Sequence, residues 1–326
     1  MQWIDRASGA LLERTPPHRR VFRDGWGDTG VLDWYASIVR EPPAPTSLDV
    51  ASGEPRLVEG LVETDLAFES PALHLPAASR IGRARMITTD PPPDRLLLLM
   101  AAWNEHGYAA RSKLARLLAA DGIATVMLEN PFYGERRADP ADDRPIATVA
   151  DFGVMGRAAV VEGMALLAHF RDQGYATGVG GFSMGGNIAA FVGSLTAFPT
   201  AIALAAASHS PAPPFLNGVM RGSLAWDALG GDNPDTEQRL RGFFASATVL
   251  DHEPPPHTAA AVLLAGTIDG FVPTSAVLAL HRHWPGSQID WIRAGHATLL
   301  WRHKEEMAAS AVTAFQRLDT WSRSEV

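Results

Sequence analysis

Gly178-Val179-Gly180-Gly181-Phe182-Ser183-Met184-Gly185-Gly186 is the stretch on which the reading of this chain turns. It contains the pattern G-x-S-x-G at Gly181, Ser183 and Gly185. A serine flanked in this way sits on a sharp turn between a strand and a helix, in a strained backbone conformation. Side chains two residues to either side would collide, so glycine stands there. The turn lifts the serine Oγ above the sheet and leaves it at a helix N-terminus, where free N–H groups and the helix dipole favour negative charge. A glycine-rich chain can hold such a string by chance. Here a β-rich run precedes it, and the helix-compatible Asn187-Ile188-Ala189-Ala190 follows it, which is the context the turn requires. Ser183 is therefore the candidate nucleophile.

Outward from this turn, the pattern alternates between short apolar runs and longer helical stretches. Strands are expected at Ala84–Thr88, Leu96–Met100, Thr125–Leu128, Val179–Phe182, Ala201–Ala205, Ala261–Ala265 and Ile289–Ile292. Helices are expected at Ala109–Ala120, Asp151–Phe170, Gly185–Leu195, Ser275–His283 and Lys304–Thr320. Strands alternating with helices imply an α/β fold, a mostly parallel, doubly wound sheet with helices on both faces. Residues 1–80 read as an irregular N-terminal extension packed on the core, with one short helix at Val31–Val39 capped by Asp28 or Thr29. The core then comprises residues 81–207 and 258–326. Residues 208–257 hold prolines, glycines and aromatics without a strand–helix pair. An insertion after a strand's carboxyl end lies over the ligand-binding edge of such a sheet, so this segment is expected to be a cap or lid.

A serine at its free pKa is a poor nucleophile and needs a base. In folds built on this turn, the acid and then the histidine follow the serine along the chain. His296, just past the strand ending at Ile292, is the favoured base. His209, His252, His257, His281, His283 and His303 also follow Ser183 but lie on the cap or on helices. Asp269, in the loop after Ala261–Gly266, is the favoured acid, ahead of Asp227 and Asp251 in the cap. An oxyanion would be held by the Met184 N–H and by a second N–H, from Trp103 or Asn104, in the loop after Leu96–Met100. Weaker substrate-contact candidates are His106, Tyr133, Phe215 and Trp226.

Composition narrows the remaining options. The 326 residues carry no cysteine, which excludes disulfides, thiolate metal sites and a cysteine nucleophile. A net charge of -8 and the lack of a basic run argue against nucleic acid as a partner. No apolar run is long enough to span a bilayer, and the first residues do not resemble a secretory signal, so a cytoplasmic location is expected. No H-E-x-x-H string or other ligand spacing suggests a metal, and no phosphate-binding glycine loop suggests a nucleotide. The expectation is a small-molecule substrate and no cofactor. The oligomeric state stays open.

Gly181–Gly185, Asp269 and His296, in this order, resemble the catalytic set of the α/β-hydrolase fold, in which the insertion at 208–257 would follow the sixth strand. A narrower likeness lies in Glu129-Asn130-Pro131-Phe132-Tyr133-Gly134-Glu135-Arg136, similar to the E-N-P-x-Y-G-x-R segment of the "abhydrolase domain-containing protein 18" type. Glu105-His106, Arg111, Gly218-Val219, Trp226 and Leu229 fit that branch, whereas Ala101–Asn104 lacks its Gly-Thr-Gly-like run. The resemblance implies a hydrolase of carboxylic esters, including lipid-like acyl esters. Acyl transfer or amide cleavage would use the same residues, and a hydrolase fold can also persist as a binding protein. On the residues themselves, Glu129–Arg137 reads as a turn held by a buried pair between Glu129 and an arginine.

Overall fold

The computed structural model describes residues 2–44, 46–143 and 146–324. Eight strands make the body of one sheet: β1 Leu61–Glu69, β2 Ile81–Thr88, β3 Arg95–Met100, β4 Ile123–Leu128, β5 Ala176–Phe182, β6 Ala201–Ala205, β7 Val262–Gly266 and β8 Gln288–Ile292. Their spatial order is β1-β2-β4-β3-β5-β6-β7-β8, and two short strands, Ala51–Ser52 and Arg56–Val58, pair with β1. From β4 onward to β8 every pairing is parallel, while β1 and β2 pair antiparallel. The order reverses around β3 and β5, so their carboxyl ends open the crevice where such sheets bind ligands.

The helices are α1 Trp3–Glu13, α2 Thr29–Ile38, α3 Ala109–Ala120, α4 Val149–Asp172, α5 Met184–Leu195, α6 Trp226–Leu229, α7 Pro234–Ser246, α8 Thr274–His283, α9 His296–Arg302 and α10 Lys304–Ser324. Side chains alternate across a strand. Leu96, Leu98 and Met100 of β3 therefore pack with α4, α5 and α8 on one face, and Leu97 and Leu99 with α3 and α10 on the other. Both faces are covered, which is why β3 and β4 read as largely apolar runs, broken only by Arg95 and Thr125. Among the described residues, no helix is long and apolar enough to cross a membrane.

The first eighty residues differ from the irregular segment expected of them. Leu61–Glu69 is a nine-residue strand hydrogen-bonded along the whole of β2. Its sequence, LVETDLAFE, hides this, because its acidic residues are satisfied laterally: Asp65 pairs with Arg56 and Arg85, and Glu63 faces Arg85 and Arg116. The short helix in this region is present as α2, and Asp28 caps it by accepting the Val31 N–H at 3.0 Å. Residues 208–257 contain no strand. Phe215, Met220, Leu224, Trp226 and Phe244 bury themselves against Val21, Phe22 and, from α4, Phe152.

His257 is a buried histidine whose titration ties stability to pH. Burial holds the His257 imidazole below the usual histidine value of 6.5, although its hydrogen bond to the Gly193 carbonyl at 3.0 Å pulls the other way. Depressed titration of a buried base means the unfolded chain binds the extra proton first. The stabilisation is present above about pH 6.5 and is lost as pH falls further. Thermal melts from neutral pH to about pH 5 should show a falling midpoint. His257→Gln, which cannot acquire that proton, should flatten the dependence, and an unchanged slope in the variant would assign it to other groups.

Candidate active site

The turn between β5 and α5 puts Ser183 at φ 58° and ψ −119°, a conformation costing on the order of 1–3 kcal/mol for a residue with a side chain. Its neighbours explain how the turn is held. A Cβ on Gly181 would stand 2.4 Å from the Gly185 carbonyl carbon, and one on Gly185 would stand 2.3 Å from the Met100 carbonyl oxygen. The Ser183 N–H donates to the Ala205 carbonyl at 2.9 Å, tying the turn to β6. Met184 is the first residue of α5, so its N–H has no carbonyl acceptor within the helix.

The loop after β7 carries Asp269, and the loop after β8 carries His296 at the start of α9. Asp269 Oδ1 accepts the N–H groups of Phe271 at 2.7 Å and Val272 at 2.9 Å, which orients the carboxylate. Its Oδ2 lies 2.7 Å from His296 Nδ1, and His296 Nε2 lies 2.9 Å from Ser183 Oγ. A carboxylate only accepts, so Nδ1 carries the ring proton and Nε2 offers its lone pair to the serine hydroxyl. The side chains of Asp269 and His296 are 1% and 10% exposed, which keeps water away from this line. Phe182 and Phe271 each place a ring centroid 4.7 Å from the imidazole and fix its plane.

A cavity of about 280 Å³ opens in front of Ser183 and His296. Trp103, Phe152, Phe215, Met220 and Phe271 give it apolar walls, while Asn187, Ser208 and Ser210 add polar groups beside the serine. Of the expected loop residues, Trp103 lines this cavity. Asn104, at φ 56°, does not; it lines an adjoining apolar cavity between the sheet, α3 and α10, which Trp103 also borders. The neighbouring Ala102 N–H is already taken by the Glu105 carboxylate at 3.1 Å. Glu105 also pairs with Arg111 at 2.6 Å, and Asn130 donates to the Ala101 carbonyl at 3.3 Å, so the loop is anchored from both sides.

The remaining expected contacts divide. Phe215 lines the cavity; His106, Tyr133 and Trp226 do not. His106 accepts the Gly134 N–H at 3.2 Å and packs on Tyr133, which lies behind Trp103. Both hold the turn at 129–137 rather than facing the serine. Trp226 is buried under Arg221, whose guanidinium lies 4.3 Å over its ring. The expected Glu129–arginine pair is replaced by another. Arg136 forms a fully buried bidentate pair with Glu162, at 2.6 and 2.8 Å, and its guanidinium donates to the backbone carbonyl of Glu129 at 2.7 Å. Glu129 turns its carboxylate to the Glu135 N–H at 2.9 Å, and burial pushes its pKa up.

A family model described as Alpha/beta hydrolase domain containing 18 matches residues 20–253 and 233–317. The chain belongs to this family. Solved structures share the fold of this hydrolase-family chain at low identity. An esterase from an Arctic intertidal metagenomic library is 18% identical, with a TM-score of 0.54, over 83% of this chain and 99% of its own. An acetyl xylan esterase from Paenibacillus sp. R4 is 13% identical, with a TM-score of 0.56, over 93% and 98%. Carboxyl esterase 2 from the fungus Tuber melanosporum is also 13% identical, with a TM-score of 0.50, over 98% and 99%.

The packing around the turn yields a direct test. Gly185→Ala forces its Cβ against the Met100 carbonyl and should destabilise the protein by about 1–3 kcal/mol or displace the turn. Denaturant melts report the first effect and serine-directed labelling the second. Wild-type stability together with wild-type labelling would show that the turn is not so tightly packed.

Proposed function

We propose that this member of the hydrolase family is a serine esterase in which Ser183, His296 and Asp269 form a catalytic triad. The observation that carries this reading is the pair of hydrogen bonds from Ser183 Oγ to His296 Nε2 and from His296 Nδ1 to Asp269, at the base of an apolar cavity. In the reaction, Ser183 Oγ attacks the ester carbonyl carbon as its proton passes to His296 Nε2. Asp269 keeps Nδ1 protonated and stabilises the imidazolium that results. The oxyanion is held by the N–H groups of Met184 and Trp103. Trp103 is favoured over Asn104 because it borders the cavity. Collapse of the intermediate breaks the bond to the alcohol oxygen, which leaves with the proton from His296. Water, deprotonated by His296, then attacks the acyl-enzyme and releases the acid and free Ser183.

Residues 208–257 act as the cap in this reading. Phe215 and Met220 bring its apolar surface to the cavity, and Asn187, Ser208 and Ser210 supply the polar part of its lining. This division suits a substrate with an apolar acyl chain beside a polar ester group.

A fluorophosphonate should label the wild type and leave Ser183→Ala unmodified. On p-nitrophenyl esters, Ser183→Ala and His296→Ala should each lose about 10⁴- to 10⁶-fold in kcat. A folded wild type that neither labels nor hydrolyses any ester of the series would contradict the reading. Phe215→Leu should move the preferred chain length upward. Each added methylene that finds room is worth about 0.8 kcal/mol, or roughly fourfold in kcat/KM. A profile identical to the wild type would remove Phe215 from the acyl pocket.

A further inference from the structure

Asp5 lies in the first turn of α1 and is completely buried, although it is 264 residues away in sequence from Asp269 and 291 from His296. Among the described residues, no arginine, lysine or histidine is within ion-pair distance of it. A buried carboxylate without such a partner is costly unless hydrogen bonds satisfy it. Its partners are backbone amides of the two loops that carry the acid and the base. Asp5 Oδ2 accepts the Gly270 N–H at 2.9 Å and the His296 N–H at 2.9 Å, and Oδ1 lies 3.4 Å from the Ala297 N–H. One oxygen atom thus bridges the residue after Asp269 and His296 itself. Gln2 repeats the arrangement one step outward. Its side-chain oxygen accepts the Gly295 N–H at 2.8 Å and the Thr298 hydroxyl at 2.5 Å, and its own N–H donates to the Ile268 carbonyl at 2.9 Å.

Gly295 supplies an independent sign of this contact. Its φ of −90° is open to any residue, so backbone conformation does not call for glycine there. Space does. A Cβ at 295 would stand 2.4 Å from Gln2 Oε1 and 2.6 Å from Asp5 Oδ2. The loop before His296 is shaped to receive the N-terminal residues.

Resting on the esterase reading above, we infer that Asp5 is a positioning residue for the triad. It clamps the loops after β7 and β8 so that Asp269 and His296 keep the spacing that proton transfer requires. Gln2 and Gly295 complete the contact. Asp5 touches no reacting atom; it acts through the backbone of His296 and of Gly270. Catalytic groups need to be held within a fraction of an ångström, and a displacement of about 1 Å can cost about 100-fold in rate.

The test uses the full-length protein carrying Asp5→Asn or Gly295→Ala. Asparagine keeps the shape and one acceptor oxygen, so folding is preserved better than with alanine. Two readouts are taken: kcat and KM per fluorophosphonate-titrated site, and the far-downfield proton resonance of the His296–Asp269 hydrogen bond. Both variants should lose about 10- to 100-fold in kcat with KM unchanged, and their downfield resonance should weaken or shift. A lower melting temperature with wild-type kcat per site and a wild-type resonance would overturn the inference and leave Asp5 as a prop for α1 alone. If the wild type proves inactive on every ester, the esterase reading falls, and the resonance still decides the clamp: perturbed in the variants it stands, unperturbed it does not.

Discussion

A side chain at position 185 would press its Cβ to within 2.3 Å of the Met100 carbonyl oxygen, and one at 181 would meet the backbone of residue 185 just as closely. These two approaches bring the end of β3, the end of β5 and the start of α5 together at one point. The strain of Ser183 at positive φ is tolerated because the surroundings leave the turn no other course. The free amides at the head of α5 and the loop after β3 are fixed by the same contact. The cavity in front of the serine follows from it, since Trp103 reaches that space from the β3 loop and Met184 from the first position of α5.

The loops that carry Asp269 and His296 are held differently. Those after β7 and β8 leave neighbouring parallel strands, so the sheet sets their starting points but not their ends. The Asp269 carboxylate is oriented from within its own loop by the amides of Phe271 and Val272. The link between the loops is supplemented from outside, by Gln2 and Asp5 at the opposite end of the chain. A layer of insertion residues and N-terminal aromatics, with Phe22 against Phe215 and Phe244, closes over the result. The N-terminal residues thus take part in the architecture around the candidate site on two sides.

Much of this was legible in the sequence because the physics involved is local. Short, largely apolar runs marked β3, β4 and β6, and the glycine spacing marked the turn at Ser183. Asp269 and His296 could be picked out because each follows a readable strand. The elements that escaped depend on partners distant in sequence. β1 lacks an apolar run, since its Glu63 and Asp65 are paired with arginines from β2, α3 and the adjoining edge strand. Asp5 looks like any first-turn acidic residue until the loops it bonds are beside it. The segment at 129–137 showed its charges but not their pairing, because Glu162 lies on α4, well downstream. Phe152 and Phe271 line the cavity from positions that only the tertiary fold brings near Ser183.

The central claim is that Ser183 carries the acyl group during turnover. It is tested most directly by rapid-quench kinetics on a p-nitrophenyl ester, with mass analysis of the quenched protein. The account predicts a burst of p-nitrophenol approaching one equivalent per site when deacylation is slow, and an added acyl mass on the peptide containing Ser183. Steady turnover of the ester with Ser183 unmodified, and undiminished turnover in Ser183→Ala, would contradict it.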